Sequence, residues 1–131
     1  MGTLSYAGLI VSDVDRLADF YGGLFDLEEI MSSRSEKYRE FLTGGSKLGI
    51  IYSGAYAMLN LPERAQDAPV NQILTFDIGD VREVAAKVEE AVKLGARLIK
   101  PPFDTHFGQH QAVLLDPDGN AFRISAPVTG A

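Results

Sequence analysis

The sequence predicts an α+β fold of two tandem βαβββ modules whose mixed sheets curl into a shared cup. The first observation is a repeat, because a shift of 67 residues aligns Val11–Val14 with Ile78–Val81 and places Asp13 on Asp80. The second is the order of elements around each copy of this motif: a strand-like run before it, a helix-like run beginning at it, and three further strand-like runs after the helix. One helix covers only one face of a four-stranded sheet. Two modules side by side would therefore enclose their free faces as a cup for a small ligand.

The first predicted module spans residues 1–53. Alternation at residues 4–12 predicts its first strand, and Ser12 or Asp13 can cap the helix that follows. Because Gly22 and Gly23 each destabilise a helix by roughly 1 kcal/mol relative to alanine, we expect this helix to be short or irregular. Its apolar stripe at helical spacing comprises Leu17, Phe20, Tyr21, Leu24 and Phe25. Three strands are predicted next, at Leu27–Ser33, Tyr38–Thr43 and Lys47–Tyr52.

A connector at residues 54–69 leads to the second predicted module at residues 70–127, and Tyr56–Leu61 within it can form a helical turn. Asn71–Ile78 is predicted as a strand, and Asp80–Glu83 as a capping box that opens an amphipathic helix. Gly95 then ends the helix. The remaining strands are predicted near Arg97–Lys100, Gln109–Leu115 and Ala121–Ser125. We treat residues 1–131 as one domain.

Turn-forming residues fill Asp116–Asn120, where Pro117 presets its φ and Gly119 tolerates a positive φ. This stretch predicts a hairpin. In the strand after it, Phe122 and Ile124 share the apolar face, and Arg123 lies on the other.

Composition excludes several classes of function. The chain has no cysteine, so disulfides, thiolate metal sites and cysteine nucleophiles are excluded. No apolar run approaches a membrane span, no signal segment begins the chain, and the net charge of −6 includes no basic patch. We therefore expect a cytoplasmic protein that binds neither membranes nor nucleic acid. Phosphate loops and serine-hydrolase elbows are also missing from the sequence.

In combination, the repeat and three motifs resemble the vicinal oxygen chelate superfamily, which contains glyoxalase I, extradiol dioxygenases and bleomycin-resistance proteins. The motifs are Val11–Asp13 followed by Phe20-Tyr21, then Phe76–Val81, and lastly Phe107-Gly108 leading into Asp116–Asn120. The resemblance covers nearly all of the chain. It implies the doubled fold and a homodimer.

The resemblance also implies where a divalent ion would bind in the metal-dependent members. Their ligands, His or Gln and Glu, come from the first and last strands of each half, and the matching positions here are Tyr6, Gly49, Ile73 and Arg123. Glycine and isoleucine have no ligand atom, and arginine is a permanent cation. We therefore expect no metal and no cofactor, which disfavours metal-dependent lyase or dioxygenase chemistry.

Arg123 is the main candidate for ligand binding, since its guanidinium can bind a carboxylate or another oxyanion. Gly49 would leave room for it across the cup. The alternative is a structural ion pair with Asp77 or another acidic residue.

The other predicted cup residues are weaker candidates. Ile73 and Thr75 share the face of Arg123 by alternation, and Tyr6 belongs to the equivalent face of the first module. His110 can face the cup as a hydrogen-bonding or acid–base group, or remain a partly exposed loop residue. With His106 it makes a poor metal pair, because Gly108 and the following strand argue against a helix. Tyr38, Arg39 and Tyr52 either line the cup or pack in the core.

The sequence therefore predicts a metal-free protein that binds or sequesters a small organic ligand. One alternative is a glyoxalase-like lyase, isomerase or dioxygenase-related enzyme with a non-standard site, for which no catalytic residue is identified. A structural or regulatory module is a third possibility. Ligand identity, pathway and whether the cup forms within one chain or across a dimer stay open.

Overall fold

The structure is a computed structural model that describes residues 1–65 and 67–128. The chain divides into two compact units, Met1–Ala68 and Pro69–Ala131. Each unit has a four-stranded mixed sheet and a main helix of 11 or 10 residues. The predicted α+β class and the two βαβββ modules are confirmed. Within the described part of the chain, no helix has the length and apolar character needed to cross a membrane.

The sheet of the first unit has the strand order β1-β4-β3-β2. Strand β1 runs parallel to β4, and the other neighbours are antiparallel. The elements are β1 (Tyr6–Val11), α1 (Val14–Leu24), β2 (Glu28–Glu29), β3 (Tyr38–Leu42), β4 (Lys47–Tyr52) and the short helix α2 (Ala55–Met58).

The sheet of the second unit has the equivalent order, β5-β8-β7-β6, with β5 parallel to β8. Helix α3 begins after one turn of 3-10 helix at Val81–Glu83. The Asp80 side chain accepts a hydrogen bond from the Arg82 backbone N–H, so the predicted cap is present one turn before the α-helix. The elements are β5 (Ile73–Asp77), α3 (Val84–Lys93), β6 (Arg97–Asp104), β7 (Gln109–Leu115) and β8 (Ala121–Pro127).

Strand register confirms the internal repeat. Gly8 lies opposite Gly49 in the first unit, and Thr75 lies opposite Arg123 in the second. The shift of 67 residues that aligns the helix-opening aspartates also takes Gly8 to Thr75. Gly49 and Arg123 are therefore equivalent positions of the two sheets, as the sequence predicted.

Helix α1 continues through both of its glycines and ends at Leu24. A Cβ atom at Gly22 would lie 2.7 Å from the Phe41 ring atom Cε1, whereas a Cβ at Gly23 would meet nothing within 4 Å. Gly22 thus allows β3 to pack closely beneath the helix. This contact compensates for the low helix propensity that predicted an irregular helix.

Two strands differ most in length from the prediction, and the other strand boundaries differ by no more than two residues. Strand β2 has only two residues, because the chain turns at Ile30, whose carbonyl accepts from the Ser33 backbone N–H and hydroxyl. Strand β6 continues past Lys100 to Asp104, with register shifts between Leu98 and Lys100 and between Lys100 and Phe103. Proline has no N–H to donate to the ladder, which explains the second shift, across Pro101 and Pro102.

The predicted hairpin between β7 and β8 is confirmed. The buried carboxylate of Asp116 accepts hydrogen bonds from the backbone N–H groups of Asp118 and Asn120, at 2.8 and 2.9 Å, and also from the Asn120 amide. Gly119 has a φ of +84°, which is unfavourable for residues with a side chain. This turn fixes where β8 begins and thus the register of Arg123.

Candidate functional site

The candidate site comprises the two sheet faces turned away from the main helices, each taken within its own unit. In the first unit, Phe41 and Arg39 contact α1, so alternation along β3 places Tyr38 and Glu40 on the opposite face. Glu40 lies beside Gly49 in the ladder, and Gly49 lies beside Gly8. We call this the first-unit face.

The Tyr6 side chain packs over the two glycines of the first-unit face. A Cβ at Gly49 would coincide with the Tyr6 hydroxyl oxygen, and a Cβ at Gly8 would lie 2.8 Å from the ring atom Cε1. The room left by Gly49 is therefore taken by the phenol of Tyr6.

Tyr6 belongs to a hydrogen-bonded chain that ends on a carboxylate. The Tyr6 and Tyr38 hydroxyl oxygens are 2.9 Å apart, and the Tyr38 hydroxyl lies 2.8 Å from Glu40 Oε2. The Ser33 hydroxyl donates to Glu40 Oε1 at 2.9 Å. We call Tyr6, Tyr38, Glu40 and Ser33 the tyrosine–glutamate relay. The sequence prediction included Tyr6 and Tyr38 but missed Glu40 and Ser33.

The surroundings of Tyr38 oppose its ionisation. Burial, the hydrogen bond with Tyr6 and the adjacent Glu40 carboxylate all raise the pKa of Tyr38 well above the ordinary value for a phenol. Tyr38 therefore stays protonated at neutral pH. It serves as a hydrogen-bond donor in the relay and not as a base.

Two other candidates lie on the opposite face of the first sheet. Tyr52 is paired with Val11 in the ladder, and its hydroxyl donates to the Met58 sulfur at 3.0 Å. The Lys37 ammonium lies 5.1 Å from the centre of the Tyr52 ring. The structure thus does not bring Tyr52 together with Tyr6 and Gly49.

Arg39 is 5% exposed and makes ion pairs beneath α1. Its guanidinium donates to both carboxylate oxygens of Glu29, at 2.7 and 3.1 Å, and to Asp19 at 3.0 Å and Asp15 at 3.3 Å. The hydrogen bond from Arg39 holds the pKa of Glu29 below its ordinary value. Arg39 therefore joins α1 to the sheet.

In the second unit, Arg123 lies on the face opposite the buried Phe122 and Ile124. Its Nε donates to the Thr75 hydroxyl at 2.8 Å, across the β5–β8 ladder. Arg123 forms no ion pair with any described residue, and the Asp77 carboxylate accepts from the Gly79 backbone N–H. The alternative structural pairing with Asp77 is therefore not found.

Thr75 and Ile73 accompany Arg123, but His110 does not. Ile73 is 51% exposed on the same face of β5 as Thr75. Side chains alternate along β7, so His110 lies on the same face as the buried Ala112 and Leu114. This is the face opposite to that of Arg123, which is paired with Val113. Its Nδ1 lies 2.8 Å from Asp104 Oδ1. The structure places His110 in a pair with Asp104 at the end of the β6–β7 ladder.

The residues at the four family positions do not fit a divalent ion. The Tyr6 hydroxyl is engaged with Tyr38, Gly49 and Ile73 have no ligand atom, and Arg123 would repel the ion. Among the described residues, no three His, Cys, Asp or Glu side chains come together as a metal-binding group. We derive no chemistry through a metal at these positions.

Comparison with known proteins identifies the family. Residues 8–125 match the family described as "Glyoxalase-like domain". A glyoxalase/bleomycin resistance protein/dioxygenase family enzyme from Burkholderia phytofirmans PsJN is 35% identical, with a TM-score of 0.89 over 96% of this chain and 99% of that chain. No curated protein matches in sequence.

Two more distant structures show the same fold. A glyoxalase-related enzyme from Fulvimarina pelagi is 20% identical, with a TM-score of 0.84 over 96% of this chain and 88% of its own. The fosfomycin resistance protein FosX from Mesorhizobium loti is 21% identical, with a TM-score of 0.70 over 98% and 95% of the two chains. The chain therefore belongs to the glyoxalase-like domain family, within the vicinal oxygen chelate superfamily that its motifs resemble.

Proposed function

We propose that this protein binds a small organic ligand that carries a carboxylate or a similar oxyanion, and that Arg123 binds this anion. The supporting observation is the geometry of Arg123, whose Nε is held by Thr75 while no described residue accepts from its terminal Nη groups. A guanidinium fixed from one side is pre-organised for a bidentate contact with an oxyanion. Pre-organisation increases affinity because less side-chain entropy is lost on binding.

Charge and surroundings support the same proposal. Arg123 is half-buried, so a bound anion would be partly shielded from water, and an ion contact there is stronger than one at an exposed cation. Ile73 on the same face offers exposed apolar surface for the carbon skeleton of a ligand. Because the four family positions lack a set of metal ligands, we propose that binding is independent of a metal.

The homodimer that the family resemblance implies also stays a proposal. Light scattering on the full chain at micromolar concentration tests it. We expect twice the monomer mass, and a monomer would contradict the expectation.

Benzoate is a suitable probe of the anion site, with benzamide as its uncharged isostere. We expect benzoate, and not benzamide, to raise the thermal unfolding temperature. A ligand at 100 times its Kd stabilises a fold by about 2.7 kcal/mol. Treatment with EDTA should leave this stabilisation unchanged, and its loss would contradict metal-independent binding.

Arg123→Ala is the decisive variant. Hydrogen bonds to charged groups are worth about 1.5–3 kcal/mol, so benzoate should bind roughly tenfold or more weakly. Arg97→Ala removes an exposed cation from β6 of the same sheet and is the matched control, for which we expect unchanged binding. Equal benzoate affinity in Arg123→Ala and the wild type would refute the role of Arg123.

A further inference from the structure

We propose that the tyrosine–glutamate relay on the first-unit face is a second binding subsite, one that accepts a protonated amine. This inference rests on the proposed ligand-binding function and assigns a separate, cation-selective subsite to the first unit. It follows from the direction of the hydrogen bonds in the relay, from the uncompensated charge of Glu40 and from the half-buried position of the Tyr6 ring over Gly8 and Gly49.

The direction of the relay is fixed at its carboxylate end. An ionised carboxylate only accepts, so the single hydroxyl proton of Tyr38 points to Glu40 Oε2, at 2.8 Å. The two phenol oxygens are 2.9 Å apart. Because the one proton of Tyr38 is held by the carboxylate, the proton shared between the phenols is that of Tyr6. Since the one proton of Tyr6 is committed, its oxygen presents only lone pairs to a ligand. Tyr6 therefore selects a hydrogen-bond donor.

Successive hydrogen bonds strengthen this preference. Tyr6 donates to an oxygen that itself donates to a carboxylate, and such chains polarise their members. The raised pKa of Tyr38 keeps the middle proton in place at neutral pH. The acceptor character of Tyr6 is therefore a property of the whole relay, not of one phenol.

The charge of Glu40 favours a cationic donor over a neutral one. Glu40 accepts from Tyr38 and Ser33 but forms an ion pair with no described residue. In the described part of the unit, no cationic side chain pairs with this carboxylate. An ammonium group at Tyr6 would supply both the hydrogen-bond donor and the missing positive charge.

The Tyr6 ring provides a second contact for the same group. The ring packs against Gly8 and Gly49, and the side chain is only half-buried, so part of the ring is exposed. A cation within about 6 Å of such a ring is attracted by its π electrons. A primary ammonium can satisfy both the ring and the hydroxyl oxygen.

The test titrates the full chain, labelled at tyrosine, with benzylammonium and with benzyltrimethylammonium, which has no N–H. We expect benzylammonium to shift the NMR signals of Tyr6 and Tyr38 and to bind roughly tenfold more tightly than the trimethyl analogue. Equal affinity for the two cations, or shifts confined to other tyrosines, would overturn the proposal. These measurements use the wild-type protein and do not depend on a variant that folds.

Variants then separate this subsite from the anion site. Tyr38→Phe and Glu40→Gln should each weaken benzylammonium binding roughly tenfold while benzoate binding is retained. Tyr52→Phe, on the opposite face of the sheet, is the matched control and should bind both probes as the wild type does. Unchanged benzylammonium affinity in Tyr38→Phe and Glu40→Gln would overturn the relay, whatever benzoate and Arg123→Ala show.

Discussion

Arg123 Nε and Thr75 Oγ1 are 2.8 Å apart, and the two residues are paired across the β5–β8 ladder. Gly49 and Gly8 occupy the equivalent paired positions in the first unit. The same pair of positions therefore carries an oriented cation in the second unit and two glycines in the first. The glycine pair leaves space for the ring of Tyr6, whereas the Thr75–Arg123 pair presents a guanidinium. The two copies of the repeat share their strand pairing but differ in side-chain chemistry.

The Thr75 hydroxyl should contribute to ligand affinity through Arg123. Thr75→Val removes the oxygen that holds Nε, so the guanidinium loses its orientation but keeps its charge. A neutral partner of this kind is worth about 0.5–1.5 kcal/mol, and we expect benzoate to bind roughly three- to tenfold more weakly. Thr3→Val, at an exposed position near the N-terminus, is the control. Isothermal titration measures both, and identical affinities would show that Thr75 does not position Arg123.

The adjacent glycines of α1 should respond in opposite directions to alanine. Gly23 faces open space, so Gly23→Ala should stabilise the protein by about 0.5–1 kcal/mol through helix propensity. At Gly22 the new methyl group would contact the Phe41 ring at 2.7 Å, and overpacking destabilises by about 1–3 kcal/mol. Urea unfolding of the two variants measures the difference. Stabilisation by Gly22→Ala would contradict the close packing of β3.

The fold could be predicted from the sequence because the signals that specify it are local and repeated. The helix-opening aspartates, the apolar alternation and the Asp116–Asn120 turn each fix a stretch of a few residues. Alternation after the turn also placed Arg123 correctly, opposite Phe122 and Ile124.

The site was less predictable because it depends on pairing between distant strands. Glu40 joins the first-unit face only because β3 pairs with β4 in the register that sets it beside Gly49. The alternation Tyr38-Arg39-Glu40 was a usable signal, since a residue two positions from Tyr38 shares its face. To predict the position of His110, the β7–β8 register had to be known. In that register Val113, and not His110, lies opposite Arg123.

Arg39 should be a major source of stability in the first unit. It is nearly buried, and Glu29, which binds it through two oxygens, has a side chain only 12% exposed. Removing one partner of a buried ion pair costs about 3–5 kcal/mol, so Arg39→Ala should lose about 3 kcal/mol. Arg34→Ala removes a 42% exposed partner of the same glutamate at 3.5 Å and should lose less than about 1 kcal/mol. Equal losses by urea unfolding would contradict the difference in burial.

The Glu29–Arg39 pair should make stability fall in acid. Because Arg39 holds the pKa of folded Glu29 below the ordinary value of 4.5, the unfolded chain binds this proton at a higher pH than the folded chain does. The stabilisation is therefore fully present above the ordinary value and is lost as the pH falls through the folded one. Urea unfolding between pH 7 and pH 3 should show a smaller loss for Glu29→Gln than for the wild type. In an Arg39→Ala background, Glu29→Gln should alter the pH dependence much less, because only the longer contact with Arg34 remains. An undiminished effect there would show that Arg39 is not the main cause of the low pKa of Glu29.

Gly49 should be coupled energetically to Tyr6. Because a Cβ at Gly49 would coincide with the Tyr6 hydroxyl oxygen, Gly49→Ala must displace the ring and break its hydrogen bond to Tyr38. We expect a destabilisation of about 1–3 kcal/mol, against less than about 0.5 kcal/mol for Gly45→Ala, where a Cβ meets nothing within 4 Å. In a Tyr6→Ala background the overlap is gone, so Gly49→Ala should then be nearly neutral. A double-mutant cycle from urea unfolding measures this coupling. Additive effects would show that Gly49 is small for a reason other than the Tyr6 ring.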